Sequence, residues 1–233
     1  MTVRGFGEAS KTLVIFDCDG VLVDSERIAN PLLARLLSDE GLPTTPEQSV
    51  ARYQGRAWKD CSRVIEEQLG RPLPASFQKS FHDGMMEEFH RSLTSMPGLA
   101  VALDCIDSPM CVASSSGHVH IRTVLEITGL YPRFEGRCFS ASEVSRGKPH
   151  PDLFLHAAER MGFSPETSVV VEDSLFGVQA ARAAGMRVLG FARDTEPTVL
   201  LDAGAQVFHK MEELPELIAA MYGKGASGRV GLG

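Results

Sequence analysis

Short apolar runs rich in β-branched residues alternate along this chain with segments of helical periodicity, and this alternation restricts the possible folds more than any other feature. Strands that are apolar on both faces are typical of a parallel sheet covered by helices on both sides. Strands that alternate with helices predict a doubly wound α/β core with a mainly parallel sheet. The predicted strands are residues 12–16, 110–113, 137–139, 168–171, 187–191 and 206–208.

The alternation is interrupted between residues 28 and 95, where helical patterns occur without a recognisable strand. We interpret this segment as an all-helical insertion between the first two core strands. The predicted helices are residues 32–37, 61–69 and 77–93 in the insertion, and 118–128, 151–161 and 175–184 in the core. The predicted units are a core of residues 1–26 and 96–222, a second, smaller helical domain of residues 27–95, and a flexible Gly-rich tail of residues 223–233.

The charge and composition of the 233 residues restrict the kinds of partner. A formal net charge of −7 argues against bulk binding to nucleic acid or to an anionic membrane, because both favour basic surfaces. No apolar run approaches the roughly 18 residues of a membrane span, and the polar N-terminus is unlike a signal peptide. Five cysteines without a C-x-x-C pair are typical of reduced thiols. We therefore predict a cytoplasmic protein that is a monomer or a weak homodimer.

Two aspartates, Asp17 and Asp19, follow the first predicted strand directly, and Gly20 comes next. In α/β sheets, ligand sites lie at the carboxyl ends of the strands. In a continued strand the two aspartates would share one side, where their charges repel unless a cation or a shared proton relieves them. The alternative is an ordinary turn, since Asp-Gly is a common turn pair. Polar groups that recur after later strands favour the functional interpretation.

Hydroxyl groups follow the second predicted strand, and two acids follow the fourth. Ser114 and Ser115 precede a helix, where hydroxyl and backbone N–H groups suit a phosphate; the alternative is a serine-rich N-cap. Glu172 and Asp173 end a wholly apolar strand, and two adjacent buried carboxylates are costly without compensation. Capping of the next helix would explain one of these acids but not both.

A single lysine, Lys148, lies between Gly147 and Pro149 just before a predicted helix. The surrounding sequence is not a phosphate-binding P-loop, because Pro149 stands where that motif needs Ser or Thr. The alternative is a solvated lysine. Its spacing from the neighbouring acidic and hydroxyl elements favours a functional role.

Residues 16–20, 114, 148–149 and 172–174 resemble, in order and spacing, the four motifs of the haloacid dehalogenase superfamily. The resemblance covers roughly residues 12–215 and implies a Rossmann-like core with a small α-helical cap. The helical insertion after the first motif is similar to that of the β-phosphoglucomutase-like branch, which includes sugar-phosphate phosphatases. The resemblance therefore implies hydrolysis of a small phosphorylated metabolite, and a sugar phosphate is the expected substrate.

The resemblance also implies roles for individual residues. Asp17 would be the nucleophile and form an aspartyl phosphate, and Asp19 would protonate the leaving oxygen and then deprotonate the attacking water. Ser114 would hold phosphate oxygens, and Lys148 would balance charge around the phosphoryl group. Gly20 and Ser115 are expected to contact the substrate.

Charge counting predicts a divalent cation at this site. Asp17, Asp19, Glu172 and Asp173 contribute a charge of up to −4 and a phosphate dianion −2, whereas Lys148 contributes only +1. The excess negative charge is costly, because a like-charge pair about 4 Å apart costs roughly 4 kcal/mol at an effective dielectric near 20. Oxygen ligands suit Mg²⁺. We expect direct binding by Asp17, the carbonyl oxygen of Asp19 and Asp173, with Glu172 acting through water. Zinc is disfavoured, because the His118-x-His120 pair is interpreted as flanking a helix start.

The insertion contains one segment with two cations, a glycine and the only tryptophan of the chain. We predict that Gly55, Arg56 and Lys59 in this segment contact the substrate and select it, as the cap closes over the site. The alternative is a basic, partly buried start of a helix. Hinges are expected near residues 25–27 and 95–98, where the chain crosses between insertion and core.

Three functions other than phosphatase activity would each need different residues in this sequence. A phosphosugar mutase of the β-phosphoglucomutase type would need an arginine where Trp58 stands and a histidine near Ala29. A haloacid dehalogenase proper lacks an acidic partner two residues after its nucleophile, so Asp19 argues against it. A non-catalytic binding protein would be expected to have lost at least one of the charged motif residues. All four are present: Asp17, Asp19, Lys148 and Asp173.

Overall fold

The structure, a computed structural model, describes residues 12–56 and 58–222, and within these residues the chain forms six β-strands and eleven α-helices. The strands are β1 (Leu13–Phe16), β2 (Met110–Ser114), β3 (Cys138–Ser140), β4 (Ser168–Glu172), β5 (Arg187–Phe191) and β6 (Gln206–Phe208). The helices are α1 (Glu26–Asp39), α2 (Pro46–Tyr53), α3 (Trp58–Leu69), α4 (Phe77–Ser92), α5 (Leu99–Cys105), α6 (His118–Ile127), α7 (Tyr131–Phe134), α8 (Asp152–Met161), α9 (Leu175–Ala183), α10 (Pro197–Asp202) and α11 (Leu214–Tyr222). The predicted flexible tail, residues 223–233, lies outside the described residues.

All six strands form one parallel sheet in the order β3-β2-β1-β4-β5-β6. β1 lies in the middle, with Phe16 opposite Val112 of β2 and Val171 of β4. The chain proceeds outward from β1 first on one side and then on the other, so a topological switch point lies beside β1. The prediction of a doubly wound parallel sheet is confirmed.

Helices cover both faces of the sheet, which explains the uniformly apolar strands. Side chains alternate along a strand: Val14 and Phe16 join one buried cluster with α5, α6 and α11, whereas Leu13 and Ile15 join another with α8 and α9. All four side chains of β1 are fully buried. β1 is therefore buried on both faces, and the residues that follow its carboxyl end are held in a fixed position by the core.

Four helices, α1 to α4, occupy the segment predicted to be helical, and its described residues from 28 to 94 contain no strand. These helices share a buried cluster of their own, and the ring of Trp58 stacks on Phe77 and Phe81 at centroid distances of 6.2 and 5.6 Å. The two crossings to the core lie side by side, since the N–H of Asp24 donates to the carbonyl oxygen of Thr94 at 2.9 Å. The domain boundaries and the hinges remain predictions.

Several helices were not predicted from the sequence: α2, α5, α7, α10 and α11. α2 buries only Ser49 and Tyr53, so it has little apolar periodicity. Its start is nevertheless marked by a capping box, in which Thr45 and Gln48 satisfy each other's backbone N–H groups. α1 also extends beyond the predicted 32–37 at both ends. No helix in the described ranges combines the length and apolar character that crossing a membrane requires.

Candidate active site

The strand ends bring the predicted acidic and hydroxyl residues to one edge of the sheet. Asp17 follows β1, Ser114 ends β2, Glu172 ends β4 and Asp173 follows it. β2 and β4 flank β1, so these side chains meet at the carboxyl edge of the sheet. The N–H of Asp17 continues the ladder by donating to the carbonyl oxygen of Val171 at 3.0 Å. The position of Asp17 is therefore set by the sheet itself.

The turn after β1 depends on Gly20, which has a φ of +81°. A Cβ atom at this position would lie 2.0 Å from Oδ2 of Asp173, so only glycine lets the turn approach that carboxylate. Gly20 is buried against Asp173, and its predicted contact with the substrate stays a prediction.

Lys148 is buried between two carboxylates. Its Nζ donates to Oδ1 of Asp17 and to Oε1 of Glu172, both at 2.6 Å, and its side chain is 1% exposed. Burial opposes the charge on Lys148, yet the two carboxylates outweigh burial and raise the lysine pKa above its usual range. Lys148 thus stays charged and neutralises part of the acidic cluster.

Asp17, Glu172 and Asp173 form a buried acidic cluster in which one carboxylate oxygen from each residue lies within 4.8 Å of the other two. Burial raises the pKa of Asp17 to about 7, against the opposing effect of Lys148. Burial also raises the pKa of Asp173 well above its usual range, and the charges of Glu172 and Asp17 add to the shift. The cluster therefore carries more carboxylate than its cation can balance, and hard oxygen donors of this kind fit Mg²⁺.

Glu172 plays a different part from the other two acids. Its Oε1 accepts from Lys148, and its Oε2 accepts from the N–H groups of Asp173 and Ser174 at 3.0 Å and from the Ser174 hydroxyl at 2.9 Å. Both oxygens are thus already paired. This arrangement favours Asp17 and Asp173 as direct metal ligands, with Glu172 holding the lysine and the start of α9 in place.

Asp19 is held by two side chains from the connection after β2. The hydroxyl of Ser116 donates to Oδ2 of Asp19 at 3.1 Å, and Nε2 of His120 lies 3.1 Å from Oδ1 and 3.2 Å from Oδ2. Burial alone would raise the Asp19 pKa, but the charge and hydrogen bond of His120 outweigh it and lower the pKa to about 2. His118 and His120 lie at the start of α6, as interpreted from the sequence, and His120 in addition bonds to Asp19.

The serine loop that ends β2 is anchored from both sides. The hydroxyl of Ser114 accepts from the N–H of Ser116 at 3.1 Å, and the hydroxyl of Ser140 donates to the carbonyl oxygen of Ser116 at 2.8 Å. Ser114 and Ser115 both line a cavity between these strand ends and the insertion, which is described below. Their hydroxyl and backbone N–H groups, just before α6, suit the oxygens of a phosphate.

The insertion docks on the core through the residues that follow α2. Nε2 of Gln54 donates to Oδ2 of Asp173 at 2.6 Å, and its Oε1 accepts from the hydroxyl of Thr195 at 3.1 Å. Gly55 has a φ of +75°, and a Cβ atom there would lie 2.3 Å from Oγ of Ser174. Gln54 was not predicted from the sequence, and it brings the insertion into direct contact with the acidic cluster.

Of the predicted specificity residues, the structure brings Gly55 and Arg56 to the cavity but not Lys59. The Arg56 guanidinium lies over the ring of Phe176 at 4.2 Å, and among the described residues its buried Nε has no hydrogen-bond partner. Lys59 is exposed and does not line the cavity. α3 turns Cys61 inward, which leaves position 59 on the solvent side of the helix, and the substrate contact of Lys59 stays a prediction.

A cavity of about 580 Å³ lies between the strand ends and the insertion. Its insertion wall is mixed, with apolar rings and thioethers beside the polar side chains of Glu26 and Asn30. Asn30 donates to Glu26 and accepts from the buried hydroxyl of Ser49 at 2.7 Å. Burial raises the pKa of Glu26 to about 8, with the nearby Asp19 charge adding to the shift. Residues on this wall include Leu33, Trp58, Phe81, Met85, Met86 and Phe89.

Comparison with protein families agrees with the site geometry. The model of the haloacid dehalogenase-like hydrolases matches residues 11–185 of this chain. Among solved structures, the crystal structure of a conserved haloacid dehalogenase-like protein of unknown function from Agrobacterium tumefaciens superposes with a TM-score of 0.80. That protein is 41% identical, and the match covers 90% of this chain and 98% of the other.

Two relatives are named for phosphatase activities. The 6-phosphogluconate phosphatase of Escherichia coli (strain K12) is 28% identical, over 88% of this chain and 93% of its own length. The phosphorylated carbohydrates phosphatase of Thermotoga maritima is 32% identical, over 86% of this chain and 95% of its own length. Both matches span the core and the insertion together.

Proposed function

Because this chain belongs to the haloacid dehalogenase-like hydrolase family and is a phosphoric monoester hydrolase, we propose that it hydrolyses a small phosphorylated metabolite with Mg²⁺ bound beside Asp17. The observation that carries the proposal is the buried cluster of Asp17, Glu172 and Asp173, paired with a single buried lysine. Asp17, Asp173 and the carbonyl oxygen of Asp19 would hold the metal. When bound, Mg²⁺ supplies positive charge that lets a phosphate dianion approach these carboxylates.

The proposed reaction has two steps, in which each residue has one task. Before the first step Asp19 takes up a proton, because the bound phosphate dianion opposes the effect of His120 and raises the pKa of the Asp19 carboxyl group. In that step, a carboxylate oxygen of Asp17 bonds to phosphorus while the ester oxygen leaves and takes the proton from Asp19. In the second, water bonds to phosphorus as the aspartyl phosphate breaks, and Asp19 takes the water's proton. Lys148 keeps the departing carboxylate of Asp17 ionised, and Ser114 holds a phosphoryl oxygen in both steps.

The substrate proposed is a sugar phosphate. Both relatives named above act, by their names, on phosphorylated sugars or sugar acids. The cavity offers groups that suit hydroxyl and carboxylate functions, namely Glu26, Asn30 and Arg56. Its volume of about 580 Å³ accommodates a metabolite of this size.

Mutase activity of the β-phosphoglucomutase type is less well supported. Ala29 and Trp58, the positions where a mutase would need a histidine and an arginine, both line the cavity. Neither side chain carries a titratable or charged group. The positions thus face the substrate without the chemistry that the second phosphoryl transfer needs.

Hydrolysis of p-nitrophenyl phosphate and of a panel of sugar phosphates tests the proposal. We expect turnover with Mg²⁺, loss of turnover in EDTA, and a fall of at least about a thousandfold in kcat for Asp17→Asn. Asp104→Asn is the matched control, since Asp104 is an exposed aspartate that pairs with Arg133 on the surface. Undiminished activity in EDTA would remove the metal from the mechanism, and an active Asp17→Asn variant would require another nucleophile.

A further inference from the structure

His120 lies at the start of α6 and is directed at Asp19. Its Nε2 is within 3.2 Å of both carboxylate oxygens, and its side chain is 14% exposed. The ring is braced on its other side by Phe89 of α4, at a centroid distance of 6.0 Å and an interplanar angle of 62°. Phe89 is fully buried, so the imidazole is fixed between a core aspartate and an insertion helix.

This geometry restricts what the Asp19 carboxyl group can do. A ring N–H and a hydroxyl O–H are donors, so His120 and Ser116 must bond to lone pairs on the Asp19 oxygens. Both donors approach the Asp19 oxygens from the side of α6 and fix the plane of the carboxyl group beside the cavity that Asp19 lines. The orientation of the Asp19 carboxyl group is therefore set by the loop before α6 and by α6 itself.

We propose that His120 is a positioning residue that aims the carboxyl group of Asp19 at the leaving oxygen, an inference that rests on the proposed phosphatase function. Asp19 gives its proton to the ester oxygen as that oxygen parts from phosphorus, and it regains a proton from water in the second step. His120 exchanges no proton in this scheme; it supplies the N–H that holds the carboxyl group. Because Phe89 holds the imidazole, the insertion contributes to the orientation of a core catalytic group.

The chemistry of the leaving group separates this role from a purely structural one. p-Nitrophenolate is a stable anion and departs without a proton, whereas the alkoxide of a sugar needs one. A residue that orients the general acid is therefore required for sugar phosphates and nearly dispensable for p-nitrophenyl phosphate. A residue that merely supports the fold would affect both substrates alike.

The test compares His120→Leu with His120→Gln, which have similar bulk against Phe89 but differ in the hydrogen-bond donor. With Mg²⁺, we expect His120→Leu to lower kcat for 6-phosphogluconate, or for the best sugar phosphate of the panel, by about tenfold or more. The same variant should change kcat for p-nitrophenyl phosphate less than about threefold, and His120→Gln should recover most of the loss. His118→Leu is the control, because His118 is half exposed and pairs with Glu143 instead.

Each outcome separates this inference from the proposed function. Equal losses on the two substrates, no loss on the sugar phosphate, or no recovery with glutamine would overturn the role of His120 while leaving the phosphatase intact. A wild-type protein that hydrolyses neither substrate would overturn the proposed function, and the role of His120 with it. Melting temperatures of both variants within a few degrees of wild type would confirm that the comparison is between folded proteins.

Discussion

Replacement of Gly20 by alanine tests how closely the turn after β1 must approach the acidic cluster. The new Cβ would lie 2.0 Å from Oδ2 of Asp173 and 2.8 Å from its Cγ. Ordinary contact begins at 3.4 Å, so the carboxylate must move by about 1.4 Å. Such a move would break the 2.6 Å hydrogen bond from Gln54 and shift Asp173 relative to Asp17.

Gly41→Ala is a matched control for the backbone strain. Gly41 has a φ of +91°, close to the +81° of Gly20, but no heavy atom lies within 4 Å of a Cβ built there. A left-handed conformation costs an L-residue roughly 1–2 kcal/mol, and about 0.4–1 kcal/mol is regained because alanine restricts the unfolded chain. We therefore expect the control to lower the free energy of unfolding by about 1 kcal/mol.

Gly20→Ala should lower the free energy of unfolding further than the control. Forcing an extra methyl group into a closely packed region costs about 1–3 kcal/mol beyond the strain, so a total loss of roughly 2–4 kcal/mol is expected. A displacement of about 1 Å at a reacting centre can cost about a hundredfold in rate. Gly20→Ala should therefore lose about that factor in kcat, whereas Gly41→Ala keeps wild-type turnover.

Urea unfolding in EDTA and phosphatase assays with Mg²⁺ measure the two effects separately. The reasoning would be refuted if the two variants had equal free energies of unfolding within about 0.5 kcal/mol and equal turnover. Loss of stability without loss of turnover would mean that Asp173 tolerates the displacement, and that its position is not critical for the chemistry.

Two further predictions concern the acidic cluster and the cavity. In EDTA, the free energy of unfolding should rise as the pH falls from about 7 to about 5, because the folded protein, with the pKa of Asp17 raised to about 7, binds a proton that the unfolded chain does not. Urea titrations measure this free energy at each pH. Its slope against pH should differ with and without saturating Mg²⁺, and equal slopes would contradict the prediction. Arg56→Ala should raise KM for a sugar phosphate several-fold more than for p-nitrophenyl phosphate, because Arg56 lines the cavity and offers a positively charged donor to hydroxyl or carboxylate groups of a sugar. Lys59→Ala should change neither KM, and a Lys59 effect as large as that of Arg56 would show that the exposed lysine reaches the substrate after all.

The core of the site follows from strand patterns that can be read locally. Asp17 and Asp173 follow runs that are apolar on both faces, which indicate central parallel strands. Once those strands are neighbours, their carboxyl ends must coincide, so the convergence of the acids needs no detailed knowledge of packing. Lys148 was predictable only through its spacing and the resemblance, since nothing local distinguishes a buried lysine from a solvated one.

Residues on helices were harder to assign, because their direction depends on helix phase and on tertiary docking. His120 is the third residue of α6, and one residue earlier or later it would not face Asp19. Its pairing could have been suspected from a single signal: it stands four residues after Ser116, so the two side chains lie on one side of the chain as it enters the helix. Lys59 shows the same difficulty, since this cation of the predicted segment lies on the exposed face of α3.

Gln54 marks the limit of what sequence patterns can reveal about this site. Asp17 and Asp173 owe their positions to the ladder between β1 and β4. Gln54 reaches Asp173 across 119 residues of sequence, and its other end is held by Thr195. A glutamine after a short polar helix carries no periodicity or motif, so only the docking of the insertion gives it a function. Since its amide bonds the same carboxylate that would bind Mg²⁺, the sheet sets where the catalytic acids lie, while the insertion influences how one of them is charged and oriented.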